Sequence, residues 1–180
     1  MNLLGRFAQV YVPPPVRWRL LSRLFKQTAA AFGSPSCAPP PRRATSDEIL
    51  SAFANYTSHA AVEPSPSPET VQRLFEVTRG DGAFLRHALG VTSTRDVMAV
   101  ARVVYRALGI EFAGDTRGDI MINRCYFSTV YSPDVCRVMS ALDAGLLSGL
   151  SGGGQLAFSQ RITEGFTCCR ARLIPPEAGR

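Results

Sequence analysis

Four of the five cysteines of this 180-residue chain fall in its last third, between positions 119 and 173, and they are its most reactive side chains. They are Cys125, Cys136, Cys168 and Cys169. An ionised cysteine is a nucleophile and a ligand for zinc or iron. Because the segment has the pattern of a strand, a helix and another strand, folding can bring several of these thiols into one pocket. The pattern therefore predicts a site, although it does not specify a reaction.

These cysteines are open to three interpretations. In the first, they are small apolar residues buried in the core, which is common for free thiols. In the second, one of them is a nucleophile whose pKa is lowered by a nearby cation, and Arg124 and Arg161 are the local cations. In the third, Cys125, Cys136 and Cys169 bind zinc or iron, although the sequence has no C-x-x-C motif.

The alternation of side chains along a strand indicates which thiols share a face. In the strand predicted at 119–127, one face carries Met121, Asn123, Cys125 and Phe127, and the other carries Ile120, Ile122, Arg124 and Tyr126. In the strand predicted at 166–174, Cys169 is expected to point towards the core and Cys168 towards solvent. Only one of the two adjacent cysteines is therefore expected at the site.

The helix between these strands carries a polar stripe. Cys136, Ser140 and Asp143 are spaced at i, i+4 and i+7, which places them on one side of a helix. If this stripe faces the sheet, Cys125, Cys136, Asp143 and Cys169 can converge.

The rest of the chain supplies the elements that hold these residues. Helices are predicted at 16–32, at 46–61, at 68–89 with an interruption at Gly80 to Gly82, and at 95–108. The apolar period then changes from 3.6 to 2, which predicts strands at 110–114, 119–127, 155–162 and 166–174 around a helix at 133–150. This order predicts an α+β fold, in which a helical first half packs with a β-β-α-β-β second half, a four-stranded antiparallel sheet covered by a helix. His59 and His87 fall in the helical half, where a lone histidine is more often a surface or helix-end residue.

Residues 1–43 are predicted to form an N-terminal arm, and residues 44–180 a domain. The arm contains an amphipathic helix at 16–32, with Trp18, Leu21 and Phe25 on one side, and ends in a proline-rich linker. Such a helix either lies on a membrane surface or packs on protein. The few cations on its polar face favour packing on its own domain or on a second subunit, so a homodimer formed through this helix is one expectation.

Composition argues against several classes of protein. A net charge of +6 with scattered arginines does not match the dense basic patch of a nucleic-acid-binding surface. No apolar run is long enough to span a membrane, and positions 1–7 lack the features of a signal peptide. Five cysteines that include an adjacent pair are unlike a disulfide framework and favour a reducing compartment. We therefore expect a cytoplasmic protein, and its many arginines beside a single lysine are typical of a GC-rich bacterial genome.

The C-terminal segment resembles a known family of hydrolases. Cys125 is followed by two aromatic residues, and the helix after them carries Cys136 and Asp143. A strand pair then contains Glu-Gly-Phe-Thr-Cys-Cys, a motif that ends at Cys169. This order is similar to that of the L-2-amino-thiazoline-4-carboxylic acid hydrolase family. The β-β-α-β-β half is also similar to the related 4-vinyl reductase domains, which bind ligands.

The resemblance implies hydrolysis of a C=N bond in a small cyclic amidine or thiazoline carboxylate. It implies that Cys125 or Cys169 is the nucleophile or a metal ligand, and that Asp143 is the acid–base catalyst. The implied substrate-binding residues are Arg124 or Arg161 for the carboxylate, together with Asn123 and Ser140. Two alternatives remain: a small-ligand-binding or sensory module without catalysis, and an interaction protein that dimerises.

Overall fold

The structure, a computed structural model, describes residues 12–34, 36, 37, 39, 40, 43–62 and 66–176. The helices in this part of the chain are α1 (Pro14–Ala31), α2 (Ser46–Ala60), α3 (Pro68–Leu89), α4 (Thr94–Ala107) and α5 (Pro133–Ser151). The strands are β1 (Ile110–Gly114), β2 (Asp119–Cys125), β3 (Gln155–Gln160) and β4 (Cys169–Ile174). Short 3-10 helices follow β2 at Tyr126–Thr129 and β3 at Ile162–Glu164. The α+β fold that the sequence predicts is confirmed.

Local sequence explains where several helices begin. The Thr45 hydroxyl accepts a hydrogen bond from the Glu48 backbone N–H, and the Glu48 carboxylate accepts one from the Thr45 backbone N–H, which forms a capping box before α2. Ser67 and Ser132 cap α3 and α5 in the same way with their hydroxyls, and each is followed by a proline at the start of the helix. The sequence predicts all three of these helix starts.

The four strands form one antiparallel sheet in the order β1-β2-β4-β3. At its centre, Ile120 of β2 pairs with Ala171 of β4, and Ile122 pairs with Cys169. All four of these side chains are buried, because they point to the face of the sheet that α4 and α5 cover. The outer face carries the charged residues that alternate with them, such as Arg172.

Helices α3 and α5 pack with their backbones in direct contact. Gly82 of α3 and Gly145 and Gly149 of α5 lie at the crossing, where a Cβ added to any of them would collide with backbone atoms of the other helix. Helix α3 continues without a break through Gly80 and Gly82, so the interruption predicted there is wrong. Gly82 serves the contact between two helices rather than a turn.

Helix α1 belongs to the same hydrophobic core as the sheet. Leu21, Phe25 and Ala29 are buried, and the Phe25 ring lies 5.9 Å from the ring of Phe53 in α2. The helix predicted for the arm is thus packed against the rest of the described chain. Positions 1–11, where no signal peptide is expected, and parts of the linker lie outside the described residues, and a homodimer through α1 stays a prediction.

None of the helices in the described part of the chain combines the length and the hydropathy that crossing a membrane requires.

Candidate functional site

A cavity of about 400 Å³ lies between the inner face of the sheet and the helices. Its wall is mostly apolar and is built from α1, α2, α3, α4, α5 and the strands. At its outer end, Val16 of α1 and Phe84 of α3 line the cavity although they are 51% and 66% exposed. Arg23 of α1 lies beside them and forms an ion pair with Asp81 of α3. The cavity therefore opens to the surface between α1 and α3.

Six residues that the sequence predicts for a site lie in the cavity wall. They are Cys125, Cys136, Ser140, Asp143, Arg161 and Cys169. The polar stripe of α5 faces this space, and Cys169 points into it from β4, as the alternation of side chains predicts. Its neighbour Cys168 is not part of the wall, and its sulfur accepts a hydrogen bond from Gln160 Nε2 at 3.4 Å.

A β-bulge in β2 turns Cys125 into the cavity. The register of β1 with β2 shifts between Glu111 and Phe112, which leaves Asn123 without a partner on β1. The extra residue reverses the alternation beyond it, so that Cys125 and Ile122 line the same cavity. The prediction that these two residues lie on opposite faces of the strand is therefore wrong.

The same bulge explains the position of two further candidates. Asn123 is the bulged residue, and Arg124 follows it; both side chains are exposed and neither lines the cavity. The structure thus does not bring these two predicted substrate-binding residues to the site. Of the two arginines considered as anchors for a carboxylate, Arg161 is the one in the cavity wall.

The three thiols in the cavity are held in their neutral form. Burial raises the pKa of Cys125 to about 12, and it also raises the pKa of Cys136 and of Cys169. The backbone N–H of Ile162 donates a hydrogen bond to the Cys169 sulfur at 3.3 Å, which offsets part of the effect on Cys169. A thiol with a raised pKa is a weak nucleophile at neutral pH.

The cavity does not form a metal site from the residues predicted for one. Among the described residues, no three histidine, cysteine, aspartate or glutamate side chains are grouped so that they could hold a metal ion. The set of Cys125, Cys136 and Cys169 is therefore corrected: these thiols come from β2, α5 and β4 and line one space without converging on one point. His59 and His87 are exposed and do not line the cavity.

Asp143 is the acidic residue at the inner end of the cavity. Its Oδ1 accepts a hydrogen bond of 2.8 Å from Tyr105 Oη, and the Tyr105 ring stacks on Phe112 at 4.8 Å. Burial raises the pKa of Asp143 to about 6, although the Tyr105 hydrogen bond and the charge of Arg161 oppose the rise. Sequence reasoning missed Tyr105. Its spacing of four residues from the buried Ala101 is the signal that could have placed it inward.

Arg161 has a hydrogen-bonding group that nothing in the described chain uses. Its Nε is buried and has no acceptor among the described residues. The guanidinium carbon lies 4.5 Å from the centre of the Phe158 ring, and one terminal nitrogen lies 3.7 Å from a Glu164 oxygen, beyond hydrogen-bond length. Arg161 influences Asp143 through its charge, but the two do not form an ion pair.

No protein-family model matches the chain, and a search of curated proteins finds no match. The likeness to the thiazoline-carboxylate hydrolases stays a prediction. The geometry itself supplies an apolar space with three neutral thiols in its wall, together with two carboxyl groups, those of Asp81 and Asp143, and three guanidinium groups, those of Arg19, Arg23 and Arg161.

Proposed function

We propose that this protein binds a small, largely apolar molecule in the cavity. The observation that carries the proposal is a space of about 400 Å³ within the fold. Protein interiors are close-packed, and a void of this size lowers stability unless something fills it. The volume lies within the range of roughly 300–1,000 Å³ that is typical of ligand pockets.

The chemistry of the wall supports an apolar occupant. Phe127 lies at the centre of an aromatic cluster, with its ring 5.9 Å from that of Phe53 and 5.2 Å from that of Tyr131, and all three residues line the cavity. The Tyr131 hydroxyl makes a hydrogen bond of 2.5 Å with Thr57 Oγ1, so its polar atom is already satisfied. These rings offer contact surface without demanding a polar partner.

A larger side chain on α5 that fills part of the cavity should weaken binding. Ser140 has a small side chain in the wall, and its hydroxyl donates to the Cys136 carbonyl of its own helix, so Ser140→Phe removes no contact across the cavity. We expect this variant to bind the uncharged fluorescent dye N-phenyl-1-naphthylamine at least about 10-fold more weakly than the unaltered protein, a loss of roughly 1.4 kcal/mol. Fluorescence titration measures the difference, and native mass spectrometry tests for a co-purified molecule that the variant lacks.

Ser159→Phe is the matched control, since it makes the same exchange on an exposed position of β3 outside the cavity. Circular dichroism establishes that both variants are folded. Equal dye affinity in Ser140→Phe and Ser159→Phe would rule out the cavity as the binding site.

Hydrolysis is the second candidate, and the raised pKa of Asp143 is the observation that favours it. A carboxyl group with a pKa of about 6 can both accept and donate a proton near neutral pH, which suits general acid–base catalysis. The neutral state of the thiols disfavours Cys125 or Cys169 as the nucleophile. In this version, a water molecule adds to the carbon between the ring nitrogen and the sulfur, and Asp143 passes one of its protons to the ring nitrogen. The C–S bond then breaks, and the remaining hydroxyl proton goes to the leaving sulfur, which opens the ring to a carbamoyl group and a free thiol.

Opening of the 2-amino-thiazoline-4-carboxylate ring tests this candidate. If the protein catalyses it, we expect Asp143→Asn to lower kcat by about 100-fold or more, the usual contribution of a general acid–base group. Cys125→Ser and Cys169→Ser should each retain most of the turnover. A large loss in either serine variant would instead support a thiol mechanism, and no ring opening by the unaltered protein would remove hydrolysis of this substrate.

A further inference from the structure

The charged side chains of the cavity wall are not evenly distributed. Away from the opening, Arg161 and Asp143 are one cation and one anion, so their charges cancel. At the opening, two arginines of α1, Arg19 and Arg23, accompany a single acid, Asp81 of α3. The wall therefore has an excess of positive charge at its outer end and none further inside.

Arg19 is the cation at the opening that has no counter-ion. The carboxylate of Asp81 is already engaged, because Arg23 forms an ion pair with it. Arg19 is exposed and makes no ion pair or hydrogen bond with the described residues. Since Arg19 and Arg23 are spaced at i and i+4, their side chains lie on one side of α1. The opening thus presents an unpaired guanidinium beside a paired one, an arrangement that favours an anionic group.

An apolar surface leads from this opening into the cavity. Val16, Leu20 and Leu24 of α1 line the space at four-residue intervals, beside the two arginines. Phe84 lines it from α3, the helix that packs against α1, and the side chains of Val16 and Phe84 are exposed. A ligand can therefore keep its apolar part against the wall while a charged end stays at the surface, in contact with water.

An anionic group is disfavoured further inside the cavity. The carboxylate of Asp143 already occupies that region, and burial of a second negative charge beside it would cost both hydration and repulsion. Arg161 does not remove this cost, because its charge already acts on Asp143 and its terminal nitrogen lies 3.7 Å from a Glu164 oxygen. The opening is therefore the better place for a negative charge.

We infer that the ligand is an anionic amphiphile, whose alkyl chain fills the cavity and whose terminal carboxylate or phosphate group binds Arg19 at the opening. The inference rests on the proposed function, since it concerns the ligand of the same cavity. Carboxylate and phosphate share the chemistry that matters here, because both present paired oxygen acceptors to the two-pronged guanidinium group. Arg23 adds attraction at longer range while it remains paired with Asp81. Long-chain fatty acids and alkyl phosphates have this chemistry.

Probes that share one alkyl chain and differ in the end group test the inference. They are decanoate, decyl phosphate, the neutral decanol and the cationic decylammonium. Each is titrated, below the concentration at which it forms micelles, against protein loaded with N-phenyl-1-naphthylamine. The affinity of each variant for the dye converts the displacement into a dissociation constant. The variants are Arg19→Glu and Arg161→Gln. Arg170→Glu is the matched control, because it makes the same change of charge at an exposed position on the outer face of β4.

The expected result is a preference for an anionic end group that depends on Arg19. Relative to decanol, the tighter of the two anions should lose about 10-fold in affinity in Arg19→Glu, because the exchange removes one attraction at an exposed site and adds a repulsion of similar size. Decylammonium should gain relative to decanol in the same variant. In Arg170→Glu these ratios should match those of the unaltered protein, and added salt should weaken the preference for the anion. The tighter anion identifies the end group.

Three results overturn the inference: a ratio of anion to decanol affinity that is the same in Arg19→Glu and Arg170→Glu, a larger fall of this ratio in Arg161→Gln than in Arg19→Glu, or dye that neither anion displaces from the unaltered protein. In each of these the proposed function stands, because the dye still occupies the cavity. The proposed function fails separately if neither the dye nor any probe binds. Thermal unfolding of every variant shows that a lost preference does not come from a lost fold.

Discussion

Gly145→Ala should destabilise the protein by about 3 kcal/mol, in spite of the higher helix propensity of alanine. The added methyl group would collide with the Phe75 carbonyl oxygen and with Thr78 Oγ1 of α3. Neither neighbour can move aside cheaply: the first is helix backbone, and the second donates a hydrogen bond of 2.7 Å to the Leu142 carbonyl. The helices would therefore have to separate, which would disturb packing along the whole crossing. Urea-induced unfolding, followed by circular dichroism, measures the change.

Gly80→Ala provides the matched control for this prediction. Gly80 lies in α3 near the same crossing, but an added Cβ there meets nothing within 4 Å, and its backbone is not in the left-handed region. We expect the control to gain about 0.5–1 kcal/mol from helix propensity alone. Similar stability of the two variants would contradict the direct backbone contact between α3 and α5.

Asp143→Asn should stabilise the unliganded protein at neutral pH by an amount on the order of 3 kcal/mol. Burial raises the pKa of Asp143 from 3.8 to about 6, which means that the folded state disfavours the charged carboxylate. Asparagine has nearly the same shape, carries no charge and keeps an acceptor for the Tyr105 hydroxyl. The substitution therefore removes the cost of burying a charge while it preserves the hydrogen bond.

The pH dependence identifies the cause of this gain. Well below pH 3.8 the carboxyl group is protonated in both the folded and the unfolded chain, so the aspartic acid is as neutral as the asparagine that replaces it and the variant gains little. As the pH rises towards 6, the unfolded chain releases the proton first, and the stability of the unaltered protein falls. Well above pH 6 the difference is constant. Free energies of unfolding measured from pH 4 to 8 test this course.

Asp134→Asn is the control on the same helix. Asp134 lies in the first turn of α5, and its side chain is 86% exposed. In measurements between pH 4 and 6, its replacement should change stability by less than about 1 kcal/mol, as is usual for an exposed ion pair. A gain from Asp143→Asn that is flat across this interval would contradict the raised pKa.

The helices were predictable because their signals are local. The capping box at Thr45 and the serine–proline pairs before α3 and α5 each satisfy the backbone within one turn, so no distant residue is needed to recognise them. The interruption of α3 predicted at Gly82 was wrong because the role of this glycine is not local. Its role depends on α5, which follows much later in the chain, and sequence alone does not distinguish a glycine that ends a helix from one that admits a neighbouring helix.

The candidate site was predictable in part for the same physical reason. The spacing of Cys136, Ser140 and Asp143 follows from helix geometry, so their common orientation could be read from the sequence. That Cys125 shares its face with Ile122 could not be read in this way, because it depends on one unpaired residue in β2, and a bulge leaves no clear mark in the amino acids around it. The unused donor of Arg161 also became apparent only from its packing against Phe158.

The glycine crossing of α3 and α5 also limits what the cavity can accept. A wall lined by long side chains can adapt to a larger ligand, since these side chains change rotamer at little cost in free energy. Where the main chains of α3 and α5 touch, no side chain can move to change the spacing. These two helices, which both contribute side chains to the wall, therefore keep a fixed separation unless one of them is displaced. We therefore expect the cavity to adapt to a larger ligand by movement of side chains, such as those of Val16 and Phe84 at the opening, rather than by separation of α3 and α5.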